Sequence, residues 1–208
     1  MGFYDRHILP HVVHLACSTR PAMRQRQKVV PRARGCVLEV GIGSGLNLPF
    51  YDPARVSKVW GLDPTEEMTG KAATAARAAP FEVEFISLPG HEIPLADDSV
   101  DTVLTTYTLC TIPDTDDALR QMRRVLRPGG ELIFCEHGAA PDRIVRLQQD
   151  WANPVWKRLG GGCNLNRAIP DLIVAAGFSI KRLDTMYIPG WRPACFNYWG
   201  SAVPGDTG

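Results

Sequence analysis

No two cysteines in this sequence stand at Cys-x-x-Cys spacing. Its six, Cys17, Cys36, Cys110, Cys135, Cys163 and Cys195, are widely scattered, and Cys36 and Cys135 fall in apolar, strand-like runs. Such usage argues against a disulfide scaffold and against a structural zinc site, and no metal is expected. An excess of charge of either sign is also missing. With 23 Lys and Arg against 22 Asp and Glu, the net charge is +1, so no global field draws the chain to nucleic acid or an anionic membrane. There is no basic opening followed by a long apolar run. Val12 to Cys17 is far too short to span a bilayer, and Arg6 stands where a myristoylation motif wants Ser or Thr. A cytoplasmic protein is expected, with no stable membrane anchor and no nucleic-acid partner. Internal repeats, low-complexity tracts and interdomain linkers are absent as well.

What is present suits one globular domain of 208 residues with 45% hydrophobic content. From Cys36 onward, short β-branched runs alternate with helical stretches, the pattern of parallel strands joined by crossover helices, so the fold class is α/β. Strands are expected at Cys36 to Gly41, Lys58 to Leu62, Val83 to Ser87, Thr102 to Thr106 and Glu131 to Glu136. Helices are expected at Thr65 to Ala79 and Asp116 to Leu126, the second stopping before a turn at Arg127-Pro128-Gly129-Gly130. Asp142 to Leu159 and Ile169 to Ala176 read as two further helices. Phe178 to Tyr187 and Cys195 to Ala202 read as antiparallel strands closing one edge of the sheet.

The chemistry starts at Val37-Leu38-Glu39-Val40, an apolar strand followed directly by Gly41-x-Gly43-x-Gly45. Glycines there let the backbone turn sharply and a ligand approach closely, although the same pattern can serve simple strand-to-helix packing. Asp63, ending the next strand, lies where a carboxylate accepts both hydroxyls of a ribose. With Pro64 it also suits a helix start, and both roles can hold together. Pyrophosphate cofactors favour Gly-x-Gly-x-x-Gly. Here the spacing is tighter and Glu39 leads it, an acid that would repel pyrophosphate but suits an ammonium and a sulfonium.

At this point the sequence resembles the class I S-adenosylmethionine-dependent methyltransferases. Leu38 to Gly45 is similar to their first motif, and Gly61-Leu62-Asp63 to their ribose site. Ile93 to Asp101 and Arg123 to Gly130 are similar to later motifs of the "methyltransferase type 11" group. The resemblance implies a Rossmann-like sheet of seven strands, the last antiparallel, with helices on both faces. It also implies S-adenosyl-L-methionine as cofactor, S-adenosyl-L-homocysteine as product and a small-molecule acceptor. The family commonly places an acid after strand three to meet the adenine amino group. His91 and Glu92 stand there, and solvated loop side chains are the other reading. With Pro64 and Thr106 they complete the expected cofactor set of Glu39, Gly41, Gly43, Gly45 and Asp63.

A narrower resemblance, to the branch containing the animal alkyl-thiol methyltransferases, rests on Tyr107 to Pro113, Cys135-Glu136-His137 and Gly161 to Arg167. It implies a small acceptor, with a thiol in the lead; a lipid headgroup, quinone or other metabolite methylated on N or O is the alternative, and a non-catalytic cofactor-binding protein the rival class. Methyl transfer from a sulfonium chiefly needs alignment and exclusion of water. His137 is the candidate base, or a structural histidine, and Glu136 its orienter. Tyr107 is a candidate wall for the sulfonium or a core residue. Cys110 and Cys163 read as small hydrophobes with no catalytic role. Residues 1–30 are expected to form a lid, 36–136 the cofactor core and 137–208 the acceptor side, in a monomer or homodimer. His7, His11 and His14 recur at helical spacing, but Pro10 is expected to interrupt that helix, which favours the lid over a metal site. Trp151, Trp156 and Trp191 are candidates for an apolar acceptor wall or for core.

Overall fold

Strands buried on both faces are apolar along nearly their whole length, and four such runs form the middle of this sheet. The structure, a computed structural model, describes residues 8–205, the side chains of 66, 67 and 69 excepted. β1 (Gly35–Val40), β2 (Val56–Leu62), β4 (Val100–Thr106) and β5 (Leu126–His137) are parallel neighbours, with β3 (Glu82–Ile86) outside β2. Their side chains alternate between two apolar layers. Leu38, Val40, Val103 and Phe134 face one, and Val37, Val59, Leu104 and Ile133 the other.

The strand order is β3-β2-β1-β4-β5-β7-β6, in which β7 (Phe196–Pro204) lies between β5 and β6 (Phe178–Tyr187), antiparallel to both. α4 (Thr115–Val125) and α6 (Ile169–Ala175) cover the first layer through Leu119, Met122 and Ile173. α2 (Arg20–Val29) and α3 (Glu66–Arg77) contribute Val29, Ala75 and Ala76 to the second. α5 (Arg143–Leu159) buries only Val145 and Gln149, and it exposes Ile144, Leu147, Trp151, Val155 and Leu159. No described helix is long and apolar enough to cross a membrane.

The structure departs from the sequence reading at two places. Arg127 to Gly130 is not a free turn but part of β5. Val100 pairs with Leu126 and Thr102 with Glu131, so these four residues bulge out of the ladder. Pro10 does not interrupt α1 (Leu9–Cys17) but occupies its first turn, where a missing N–H costs nothing, so His11 and His14 share one helix. Directly after the glycines there is no α-helix. The chain crosses from β1 to β2 through turns and a single 3-10 turn, Leu48–Phe50.

Candidate active site

β1 lies between β2 and β4, so the order of the sheet reverses there and a crevice opens at the carboxyl ends of β1 and β4. Gly41, Gly43 and Gly45 turn the chain at that crevice with φ of +77°, +54° and +77°, which a side chain would strain. A Cβ at Gly41 would also lie 2.2 Å from Thr108 Oγ1, whereas at Gly43 the nearest atom would be Met68 Cε at 3.5 Å, an ordinary van der Waals contact. Asp63, just past β2, accepts the Gly43 N–H at 3.0 Å on one oxygen and the Thr65 N–H at 2.9 Å on the other. Burial raises its pKa and these backbone donors pull it back. Each oxygen keeps a lone pair for a ribose hydroxyl, so ribose binding and the bracing of the entry to α3 are compatible.

Glu39 is fully buried. Asn47 Nδ2 donates to one oxygen at 2.9 Å and the Tyr51 hydroxyl to the other at 2.7 Å. Burial pushes its pKa up to about 7 despite these donors and the Arg26 charge. Arg26 of α2 and Asn47 both donate to Thr106 Oγ1, and Arg26 also reaches Asn47 Oδ1 at 2.9 Å. The chain after the glycines is thus tied to β1, β4 and α2 by polar contacts where a helix is lacking. Tyr107 has φ +56°, a sparsely populated conformation for a non-glycine residue and common at functional sites. Its hydroxyl donates to Asn197 Oδ1 at 2.7 Å, and the Arg26 guanidinium lies 5.3 Å from its ring centre, the place that a sulfonium was expected to take.

The carboxyl end of β5 holds the second half of the site. Glu136 is fully buried and accepts the Thr108 N–H at 2.8 Å, and burial drives its pKa to about 7 against that bond and one from Leu109. His137 Nε2 lies 3.0 Å from Cys163 Sγ, which is itself 3.8 Å from Cys110 Sγ and 3.4 Å from Trp156 Nε1. The Cys163 thiol is held down to about 4 by Cys110, with the charge and hydrogen bond of His137 and the Trp156 N–H adding to it against burial. Burial alone would lower His137, but the charge of Cys163 raises it overall. Local polar ties bring these segments together. The Asn164 N–H and Nδ2 both donate to the Cys110 carbonyl, at 2.8 and 3.0 Å, while Arg167 caps the Ile112 carbonyl and Thr115 Oγ1, each at 2.7 Å.

α1 crosses this edge. His14 Nδ1 lies 2.6 Å from Ser44 Oγ in the glycine turn, and a Cβ at Gly161 would meet Leu9 at 2.6 Å. His11 approaches Lys71 Nζ at 3.3 Å and does not join His14 in a cluster, and His7 lies outside the described residues. His91 and Glu92 lean on each other at 3.5 Å, with His91 also 3.9 Å from Asp114. Trp151 is 87% exposed and belongs to neither core nor site, whereas Trp156 stacks at 5.6 Å on Trp191 next to Cys163. Arg26, Asn47 and Tyr51 are the residues that sequence reasoning missed, and no motif signalled them. Cys110 and Cys163, read there as small hydrophobes, lie beside His137.

A seven-stranded sheet with an antiparallel β7, a glycine turn after β1 and a carboxylate after β2 define a Rossmann-like class I methyltransferase. A methyltransferase-domain family profile matches residues 38–134. Human thiol S-methyltransferase TMT1B is 36% identical over 173 residues, 80% of this chain and 70% of that protein. Phosphatidylethanolamine N-methyltransferase of Cereibacter sphaeroides is 34% identical over 119 residues, 56% of this chain and 58% of that one. Among solved structures, the YcgJ protein of Bacillus subtilis matches with TM-score 0.69 over 94% of this chain and 99% of that chain, at 17% identity. The chain belongs to the class I S-adenosylmethionine-dependent methyltransferases, in the branch that contains the thiol S-methyltransferases. It is an enzyme of that class, with S-adenosylmethionine as cofactor. The residues present fit this cofactor: the glycine turn leaves a Cβ placed at Gly43 without a backbone or side-chain neighbour nearer than 3.5 Å, and the Asp63 carboxylate stands beside it at the carboxyl end of β2.

Proposed function

We propose that the chain transfers a methyl group to the sulfur of a small apolar thiol. One observation carries this reading: at the acceptor side of the crevice, His137 lies 3.0 Å from the Cys163 sulfur, with the Cys110 sulfur 3.8 Å beyond it, while the neighbouring Glu136 carboxylate is taken up by the Thr108 N–H. The likeness to human thiol S-methyltransferase TMT1B supports it. When bound, the cofactor supplies an electrophilic methyl, so the protein's task is to present a thiolate in line and keep water away.

Asp63 and the backbone of Gly41, Gly43 and Gly45 hold the cofactor, with Pro64, Thr106, His91 and Glu92 around it. Glu39 serves that cradle through Asn47. Glu136 fixes the backbone at Thr108, and Tyr107 carries the same loop to Asn197. His137 lies where it can take up the acceptor's proton, with Cys163 beside it. Trp156 and Trp191 give the acceptor an apolar wall, and residues 1–30, through α1, close over it. A cytoplasmic monomer or homodimer suits the reading.

The test is a panel of thiols, amines and phenols at equal concentration with labelled cofactor. Alkyl or aryl thiols should exceed every amine and phenol at least tenfold in kcat/KM. A preference for an amine or phenol would replace the thiol reading with N- or O-methylation.

A further inference from the structure

Cys110, His137 and Cys163 come from three separate segments, the loop after β4, the end of β5 and the loop after α5, and their ligand atoms lie within 4.8 Å of one another. Cys110 and His137 are buried and Cys163 is half-buried. A tetrahedral zinc ion with Zn–S near ~2.3 Å and Zn–N near ~2.0 Å puts two sulfurs about 3.8 Å apart, and a sulfur and a nitrogen about 3.5 Å apart. The Cys110 and Cys163 sulfurs already stand at 3.8 Å, while the His137 to Cys163 contact at 3.0 Å has to open by about 0.5 Å. We infer that these three side chains form a site for a borderline-soft divalent cation, Zn²⁺ first, whose open fourth position takes the acceptor's sulfur.

The ligand set supports a reactive site more than a structural one. Two cysteines and one histidine, with a place left over, is an arrangement of catalytic zinc, whereas structural zinc has four protein ligands. Two thiolates and a neutral imidazole cancel the ion's double charge, which makes the site compatible with burial. Loading releases to solvent whatever protons the three ligand atoms still carry. The inference rests on the thiol reading for its substrate and adds to it the source of the thiolate. A thiol that coordinates the cation loses its proton to solvent, and its sulfur pair attacks the methyl carbon. The new S–C bond forms as the carbon–sulfonium bond breaks and its electron pair returns to the cofactor's sulfur. The product is a neutral thioether, which holds the cation less tightly than a thiolate and leaves. With the cation in place, His137 is its ligand, and the cation's charge replaces the proton uptake otherwise assigned to the neutral His137.

The experiment uses the full chain, purified with a phosphine reductant, stripped of metal and titrated with Zn²⁺ against a chromogenic chelator, then with Co²⁺ followed by absorption. One cation per chain and an intense thiolate-to-cobalt band are expected, with a further spectral change when an alkyl thiol is added. Cys163→Ser and His137→Gln should each weaken Zn²⁺ binding at least tenfold, whereas Cys36→Ser should leave it unchanged. Binding of S-adenosylhomocysteine by calorimetry reports whether each variant has kept its fold, and a double variant, C110S with C163S, serves if either single one has not. Failure of the chain to bind Co²⁺ or Zn²⁺ stoichiometrically, or full thiol methylation by the stripped protein, would overturn the inference and leave the thiol reading intact. A chain that binds one cation through these residues yet methylates no thiol would overturn the thiol reading and leave the site standing.

Discussion

Glu39 and Asp63 flank the glycine turn and do different work there. Glu39 ionises against its surroundings: burial lifts its pKa from the ordinary 4.5 to about 7. A carboxyl whose pKa is raised on folding binds an extra proton in the folded state, so its contribution to stability is complete below 4.5 and is lost as the pH rises through 7. Glu39→Gln removes this dependence. Between about pH 5 and about pH 8, urea unfolding should show the unmodified chain losing about 2 kcal/mol relative to the variant. Parallel pH curves for the two proteins would refute it. Asp63 instead acts on the ligand. Asp63→Ala should raise the dissociation constant for S-adenosylhomocysteine at least tenfold by calorimetry, about 1.4 kcal/mol. An unchanged constant would show that the ribose is held elsewhere.

Among the elements, α1 and α2 follow one another but differ in their stake in the fold. α2 buries Ala22, Gln25, Arg26 and Val29, whereas α1 buries only Pro10. α1 touches the site at both of its halves, Ser44 in the glycine turn and Gly161 in the loop before Cys163. Deletion of residues 1–20 should therefore lower kcat/KM at least tenfold while shifting the urea midpoint little. Equal loss of activity and stability would make α1 an ordinary part of the scaffold. The strands were legible in the sequence because burial on both faces leaves continuous apolar runs such as Val37 to Val40. The long bulge in β5 was not, because Pro128-Gly129-Gly130 reads the same in a turn as in a ladder that opens for four residues.

For the molecule as a whole, the cofactor half of the site was readable and the acceptor half much less so. Gly41 to Asp63 act within about twenty residues and through backbone geometry that glycine and aspartate announce. Cys110, His137 and Cys163 meet only because the Asn164 and Arg167 hydrogen bonds draw one loop onto another, and no local spacing encodes that. The partners of Glu39 were hidden for a related reason. Its position next to the glycines was plain, but Tyr51 and Asn47, which claim its oxygens, come from a crossover that would ordinarily be a helix.

The placement of β7 sets an order on synthesis. β6 reaches the rest of the sheet only through β7, and His137 pairs across the ladder with Asn197. A nascent chain that has already built β1 to β5 on the ribosome therefore holds an open sheet edge beside His137 until residues 196–204 have left the exit tunnel. The cofactor cradle can assemble before those residues emerge, but the acceptor side cannot. Between those two moments, the edge of β5 is the place where the chain is most open to pairing with another copy of itself.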